Sequence, residues 1–484
     1  MLCQVLFFLY FSRAVNSFRA PYFVPEGRLV PDTYIVRLRE NYGLQQHFEH
    51  CGTDLSVLSP EFRTIPLLNS YRVQLDNATV ERLIRTDPGV EYIEHDVYFA
   101  GQTFTDTAFG NSTIQNAHSD LDLTTTNHSK RWDTEKIADA GWALQMITVA
   151  KKLNLDGRDK TIRTLRNPGA GVNAYVLDTG VRITHNAFGG RASNFRSMTR
   201  TEYCPPGSVN TDMGDDSTYS HGTAVASLVA GGSMGLGISF ANAINVKVCC
   251  DCLGQNISMS SSGVALAFMD ITEDHEAIVR SAQEGFKGSI INLSFTGPHS
   301  LTIEAAIRKA KSSGITVVVP ATNDPHLLTS QDFPCNLAET ICVASCDFLY
   351  QFYDYSAYGD DIDIIAPGKT IKVAIASDNN AIHFLAGWFR YFSPHSQLKL
   401  LGNSFASPIV TSVLSNFMGH EGLTNDPKTV RKRMLDNSIR NVITKLPPST
   451  IVGRRRLVKT PNRLISIPTN RDHPRGPPYI GAPY

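Results

Sequence analysis

The sequence predicts an α/β protein whose main domain is a doubly wound parallel sheet, preceded by a small α+β unit. Three observations carry that reading. Apolar strand-like runs alternate with helical stretches over residues 142–467, the pattern of a parallel sheet covered by helices on both faces. Residues 32–97 show a separate β-α-β-β-α-β order, which is ferredoxin-like. The chain has 484 residues, more than one average domain, and 42% hydrophobic with 19% charged residues suits a large core.

The chain opens on an apolar run, Val5 to Phe11, too short to span a bilayer and followed by small residues near Val15-Asn16-Ser17. Residues 1–17 are therefore read as a secretory signal peptide, and no other stretch is expected to cross a membrane. Within the first unit, assigned 31–99, strands are expected at 33–38, 62–65, 71–75 and 90–93. A polar helix is expected from Asn41, and another, carrying Val80, Leu83 and Ile84, ends before Asp87-Pro88-Gly89. From about Ala100 to Arg131 the composition shifts to Thr, Ser, Asn and Asp with little periodicity, and 100–140 is assigned as a linker open to cleavage.

The main domain, assigned 141–467, has its clearest strands at 173–177, 244–248, 290–293, 316–319 and 362–365. Its clearest helices lie at 263–280 and 302–311. The proline-rich stretch 468–484 reads as an unstructured tail. Lysine plus arginine (45) balance aspartate plus glutamate (45), which argues against nucleic acid or an anionic membrane as partner. Arg454-Arg455-Arg456 reads as a solvated turn. Nine cysteines are present; Cys3 would leave with the signal, and in an oxidising compartment most others would pair, with a connectivity that sequence leaves open. Sequons at Asn77, Asn111, Asn127, Asn256 and Asn292 fit a secreted glycoprotein.

Three segments carry chemistry. Val176-Leu177-Asp178-Thr179-Gly180 delivers an aspartate at the carboxyl end of an apolar strand, where ligands bind in such sheets. Ser220-His221-Gly222-Thr223-Ala224 opens a helix on a histidine. Gly402-Asn403-Ser404-Phe405-Ala406-Ser407-Pro408 opens another on a serine, with Pro408 tolerable in the first turn. A serine hydroxyl becomes a nucleophile when an imidazole can take its proton, and a carboxylate fixes that imidazole's tautomer. The order Asp…His…Ser is that of subtilisin, and Ala406 breaks the G-x-S-x-G elbow of α/β-hydrolases, which argues against an esterase.

These segments resemble the signatures of subtilisin-like serine peptidases, closest to the proteinase K group, over residues 142–467. Trp142-Ala143-Leu144 and Thr460-Pro461-Asn462-Arg463-Leu464 are similar to the two ends of that catalytic domain. The resemblance implies a secreted or vacuolar serine endopeptidase, monomeric, acting on proteins or peptides through an acyl-enzyme and using no catalytic cofactor. Residues 32–97 resemble the propeptide that inhibits such enzymes and assists their folding, so the chain is expected to cut itself between Tyr98 and Gly141. The resemblance makes Asn323 an oxyanion donor together with the Ser404 amide. It makes Ser294, Phe295 and Thr296, with Gly254 and Gln255 across the cleft, the substrate-pairing edges. It also implies structural calcium at Asp363 with the carbonyls of Glu339 and Ile341. The chain departs from the family pattern at Thr322, Asn403 and Val225, where glycine, threonine and cysteine are usual, and in an aromatic stretch at 378–400. The first two departures support a competing reading, a catalytically impaired homologue that binds peptides or proteins.

Overall fold

Continuous rather than alternating hydrophobicity marks the strands of the main sheet. Ser289–Leu293, Thr316–Pro320 and Thr340–Cys346 are buried at every position, as strands covered on both faces must be. The computed structural model describes residues 18–100, 134–148, 152, 160–199, 204, 213–215, 220–234, 236–249, 258–384, 402–452 and 456–467. It divides the chain into two units, one comprising residues up to Val24 and Pro31–His95, the other comprising Pro25–Val30 and the residues from Asp96 onward.

In the second unit nine strands form one sheet. Their spatial order is Ile439–Arg440, Arg463–Leu464, Ile364–Pro367, Thr340–Cys346, Thr316–Pro320, Ser289–Leu293, Asn173–Asp178, Asn242–Lys247 and Ala192–Ser197. Every neighbouring pair is parallel except the first. Asn173–Asp178 sits where the chain changes direction across the sheet: Asn242–Lys247 and Ala192–Ser197 lie to one side, and the later strands to the other. Asp178, at its carboxyl end, therefore stands at the topological switch point, the usual crevice for ligands in open α/β sheets. Helices His221–Ala230 and Asn403–Glu421 pack against each other, as do Ser261–Arg280 and Leu301–Ser312. The expected strand at 362–365 is displaced to Ile364–Pro367. Thr340–Cys346, which bears no turn signal of its own, is an additional central strand.

The first unit orders its strands Tyr22–Phe23, Val90–Ala100, Arg28–Leu38, Ser70–Gln74, Arg63–Ile65. Apart from the short first strand, this is the 4-1-3-2 order of the expected β-α-β-β-α-β chain path. Tyr34, Val36, Tyr71, Val73, Ile84 and Ile93 form its core. Asp76 caps the second helical stretch through Thr79 N–H (2.9 Å), and that stretch then runs on as a wider π-type turn, Val80–Ile84. The last strand runs from Val90 to Ala100.

Cys335 and Cys342 form a disulfide, Cys204 and Cys249 are disulfide-bonded as well, and Cys51 and Cys346 are buried free thiols. The sequon at Asn292 is structural. Its side chain is fully buried, donates to Ser294 Oγ (2.6 Å) and accepts from Thr411 Oγ1 (2.9 Å), so no glycan can occupy it in the folded chain. Asn77 is exposed; Asn111, Asn127 and Asn256 lie outside the described residues. So do residues 1–17, 101–133 and 468–484, where a signal peptide, most of a linker and a tail are expected. The end of that linker, Thr134–Ala140, is a strand paired antiparallel with Lys160–Leu165. Among the described residues no helix is long and apolar enough to cross a membrane.

Candidate active site

The carboxyl end of Asn173–Asp178 and the amino end of His221–Ala230 meet at a hydrogen bond of 2.7 Å between His221 Nδ1 and Asp178 Oδ1. Both side chains are buried, with 6% and 3% of their surfaces exposed. Thr179 N–H also donates to Asp178 Oδ1 (2.8 Å), which keeps this oxygen an acceptor and the histidine Nδ1 a donor. The close approach of strand and helix requires Gly222: a Cβ there would lie 2.0 Å from Gly180 O. Ser220, just before the histidine, has a left-handed backbone (φ 53°), and its hydroxyl accepts from Ala376 N–H (2.9 Å).

A second carboxylate, which sequence reading did not single out, braces this pair. Asp215 accepts from Thr179 Oγ1 (3.0 Å) and from Thr223 N–H in the first turn of the histidine helix (2.8 Å), while Thr179 Oγ1 accepts from Gly222 N–H (2.9 Å). Burial by itself drives the His221 pKa down, but the charge and hydrogen bond of Asp178, with the charge of Asp215, outweigh it. The net shift is upward from the ordinary histidine value.

Ser404 is the second residue of helix Asn403–Glu421, and both of its neighbours are anchored to the other site residues. The Phe405 ring lies 5.3 Å from the His221 ring, centroid to centroid. Asn403 N–H donates to Asn323 Oδ1 (3.0 Å). Gly402 has φ +144°, and a Cβ there would fall 2.5 Å from the Asn323 amide, so only glycine lets the serine turn approach this asparagine. The fold thus brings Asp178, His221, Ser404 and Asn323 to one end of the sheet.

The substrate-edge residues divide. Ser294 is buried beneath the site, within reach of Asn292 Nδ2 and Ser407 Oγ (3.3 Å). Phe295 is half-buried and faces the Phe99 ring (6.3 Å), and Thr296 Oγ1 lies 2.7 Å from Thr322 Oγ1. Gly254 and Gln255 lie outside the described residues. Just after them, Ser258–Ser260 pairs antiparallel with Tyr98–Ala100 of the same unit. Asp96 fixes the approach of that segment: it accepts from Ser261 Oγ (2.6 Å), Ser262 N–H (3.0 Å) and Ser262 Oγ (2.5 Å), capping helix Ser261–Arg280.

The residues proposed for calcium do not fit it. Asp363 Oδ1 accepts from Arg431 Nε (2.8 Å) and Arg431 Nη2, and its Oδ2 accepts from Cys342 N–H (3.0 Å). Arg431 Nη1 extends to Ala338 O (3.0 Å), beside Glu339, whose carboxylate faces Arg308 at 3.8 Å. A guanidinium therefore supplies the positive charge that a cation would bring. The expected set of Asp363 with the Glu339 and Ile341 carbonyls offers one carboxylate, already paired, where calcium wants six to eight oxygens. Among the described residues, no group of three or more metal-binding side chains occurs.

Comparison with known proteins gives a consistent picture. The sequence profile of the Subtilase family matches residues 169–460. The subtilase-type proteinase psp3 of Schizosaccharomyces pombe is 28% identical over 313 residues, which cover 64% of this chain and 61% of that protein, so the chain matches under two thirds of that relative's length. Subtilisin-like protease 2 of Trichophyton verrucosum is 27% identical over 436 residues, 86% of this chain and 87% of that protein. Among solved structures, fervidolysin from Fervidobacterium pennivorans, a keratinolytic enzyme related to subtilisin, superposes with a TM-score of 0.58 at 18% identity. The match covers 93% of this chain and 62% of fervidolysin. A cold-adapted subtilisin-like serine proteinase superposes with a TM-score of 0.51 at 23% identity, over 69% of this chain and the whole of that one.

Proposed function

The chain belongs to the Subtilase family, whose members are serine-type endopeptidases, and on that premise we propose that it hydrolyses peptide bonds through Asp178, His221 and Ser404, with Asn323 as oxyanion donor. The observation that carries the proposal is the buried His221–Asp178 hydrogen bond, with Ser404 held between a neighbour on the histidine ring and a neighbour on Asn323. His221 Nε2 takes the Ser404 proton as Oγ attacks the scissile carbonyl, and Asp178 stabilises the imidazolium that forms. The carbonyl oxygen becomes an oxyanion that accepts from Asn323 Nδ2 and the Ser404 amide. His221 then protonates the leaving amine, and a water, deprotonated by the same imidazole, cleaves the acyl-enzyme ester.

The departures at Thr322 and Asn403 speak for an intact site rather than an impaired one. Asn403 is buried and hydrogen-bonded to the asparagine loop, and Thr322 is tied to Asp332. Secretion as a self-processing zymogen completes the reading. Its supports are the apolar leader, the Cys335–Cys342 disulfide, the separately cored first unit, and the Tyr98–Ala100 strand lying antiparallel to Ser258–Ser260, shortly after the candidate substrate residues Gly254 and Gln255. Phe99 packs against Phe295 and Phe333 there, as a bound side chain would. Broad protein substrates, a monomeric state and inhibition by the first unit belong to the same proposal.

The test is expression of wild type and Ser404→Ala side by side. Casein hydrolysis by wild type alone, with the variant secreted uncut, is the expected result by activity assay and mass spectrometry. Equal hydrolysis overturns the triad; equal mature size assigns processing to another protease.

A further inference from the structure

The loop that carries Asn323 is held from two sides by residues outside the triad. On one side Asp332, 1% exposed, directs both carboxylate oxygens at Thr322: Oδ2 accepts from Thr322 N–H (2.7 Å) and Oδ1 from Thr322 Oγ1 (2.7 Å). The threonine hydroxyl has one proton, and the carboxylate is its stronger acceptor. Thr296 Oγ1, at 2.7 Å, therefore donates to Thr322 Oγ1, and the wall of the substrate cleft joins the chain of bonds. Gly297 N–H, next to Thr296, donates to Phe333 O (3.2 Å), next to Asp332, and closes the ring.

On the other side Asn403 Nδ2 reaches Ala321 O (2.9 Å), Thr322 O (3.2 Å) and Ser356 Oγ (3.0 Å), while its backbone N–H meets Asn323 Oδ1. A backbone N–H can only donate, so the atom facing it must be the amide oxygen. That contact orients the Asn323 side chain with Nδ2 as its remaining donor.

We propose that Asp332 is a positioning residue for the oxyanion donor: acting through Thr322, and opposed by Asn403, it clamps the 321–323 loop so that Asn323 Nδ2 is aimed before substrate arrives. The inference rests on the peptidase reading above. A glycine at position 322 would offer Asp332 only its N–H, whereas threonine adds a second bond and a link to Thr296. Thr322, Asp332 and Asn403 thus form one device. Loosening it costs turnover, because the oxyanion exists only at the transition state, and leaves ground-state binding by the cleft edges largely intact.

The experiment is a double-mutant cycle on purified, folded enzyme with a peptide substrate. Asp332→Ala and Thr322→Val are each expected to lower kcat by about 10- to 100-fold with little change in KM, and Thr322→Ser recovers most of the loss by keeping the hydroxyl. In an Asn323→Ala background, Asp332→Ala should lower kcat by less than about threefold further, because the donor it aims is already gone. A loss that multiplies in full with that of Asn323→Ala, or one confined to KM, overturns the positioning role. If Asp332→Ala does not fold, the same cycle with Thr322→Val decides. Should Ser404→Ala retain hydrolysis, the peptidase reading itself falls; a dead Ser404→Ala beside an unaltered Asp332→Ala refutes only the clamp.

Discussion

Each unit of this chain buries a histidine against an aspartate, with nearly the same geometry. His47 Nδ1 lies 2.6 Å from Asp87 Oδ2 in the first unit; His221 Nδ1 lies 2.7 Å from Asp178 Oδ1 in the second. Their surroundings differ. The second nitrogen of His47 is taken by Tyr71 OH (2.6 Å), and Asp87 also accepts from Tyr42 OH (2.9 Å) and Gly89 N–H (2.7 Å), with Cys51 and His50 close by. Through His47, that cluster ties helix Leu44–Cys51 to Tyr71 of the sheet and to the Asp87 turn. His221 instead lies against the ring of Phe405, the residue after Ser404, with Asp215 adding negative charge. Burial accordingly wins at His47 and lowers its pKa against the pull of Asp87, whereas the carboxylates win at His221. A histidine–aspartate pair is thus no signature of catalysis on its own; the groups packed around it decide.

The largest expected effect sharpens that distinction. His221→Ala should lower kcat on the order of 10⁶-fold, and it should also lower the melting temperature, because buried Asp178 loses its hydrogen-bond partner. His47→Ala should leave turnover of the mature enzyme unchanged. In the uncut Ser404→Ala chain it should cost the first unit about 1–3 kcal/mol, because Asp87 and Tyr71 each lose a buried hydrogen-bond partner. Hydrogen exchange at Leu44–Cys51 and Ser70–Gln74 reads that loss, and unchanged protection there would break the comparison.

Acid should separate the pairs again. His47 titrates lower folded than unfolded, so below about pH 6.5 the unfolded state binds more protons, and the stability of the first unit falls as pH falls. His221 must be neutral to act as a base, and its raised pKa places the acid limb of kcat/KM above the ordinary histidine value. Asp215→Asn should move that limb to lower pH; an unmoved limb means Asp215 shapes only the helix terminus. The smallest effect concerns Asp363. Arg431→Ala should lower the melting temperature by about a few degrees, because Asp363 loses its counter-charge. An unchanged melting temperature would mean that something other than Arg431 answers that carboxylate.

Much of the site was legible because its chemistry is local. An apolar strand ending at Asp178, and helices opening at His221 and at Asn403 beside Ser404, are written in contiguous residues, and their order is the one on which the proposed triad rests. The oxyanion asparagine was reachable only through the resemblance. Asp215 escaped notice because it acts through Thr179, 36 residues earlier, and Thr223 in a different element. Asp363 looked like a metal ligand because its counter-charge, Arg431, lies 68 residues away on another helix. Asn292 matched a modification motif, but a sequon carries no information about burial.

The sequence by itself determined the α/β class, the parallel sheet, and the strand and helices on which Asp178, His221 and Ser404 stand. Hydrophobic period and helix-start chemistry act over a few neighbouring residues, and a reader of the chain can see them. The tertiary structure alone decided how each charge is answered: Asp178 by His221, Asp332 by Thr322, Asp363 by Arg431. A buried charge costs several kcal/mol unless a partner arrives, and that partner can come from any part of the chain the fold brings near.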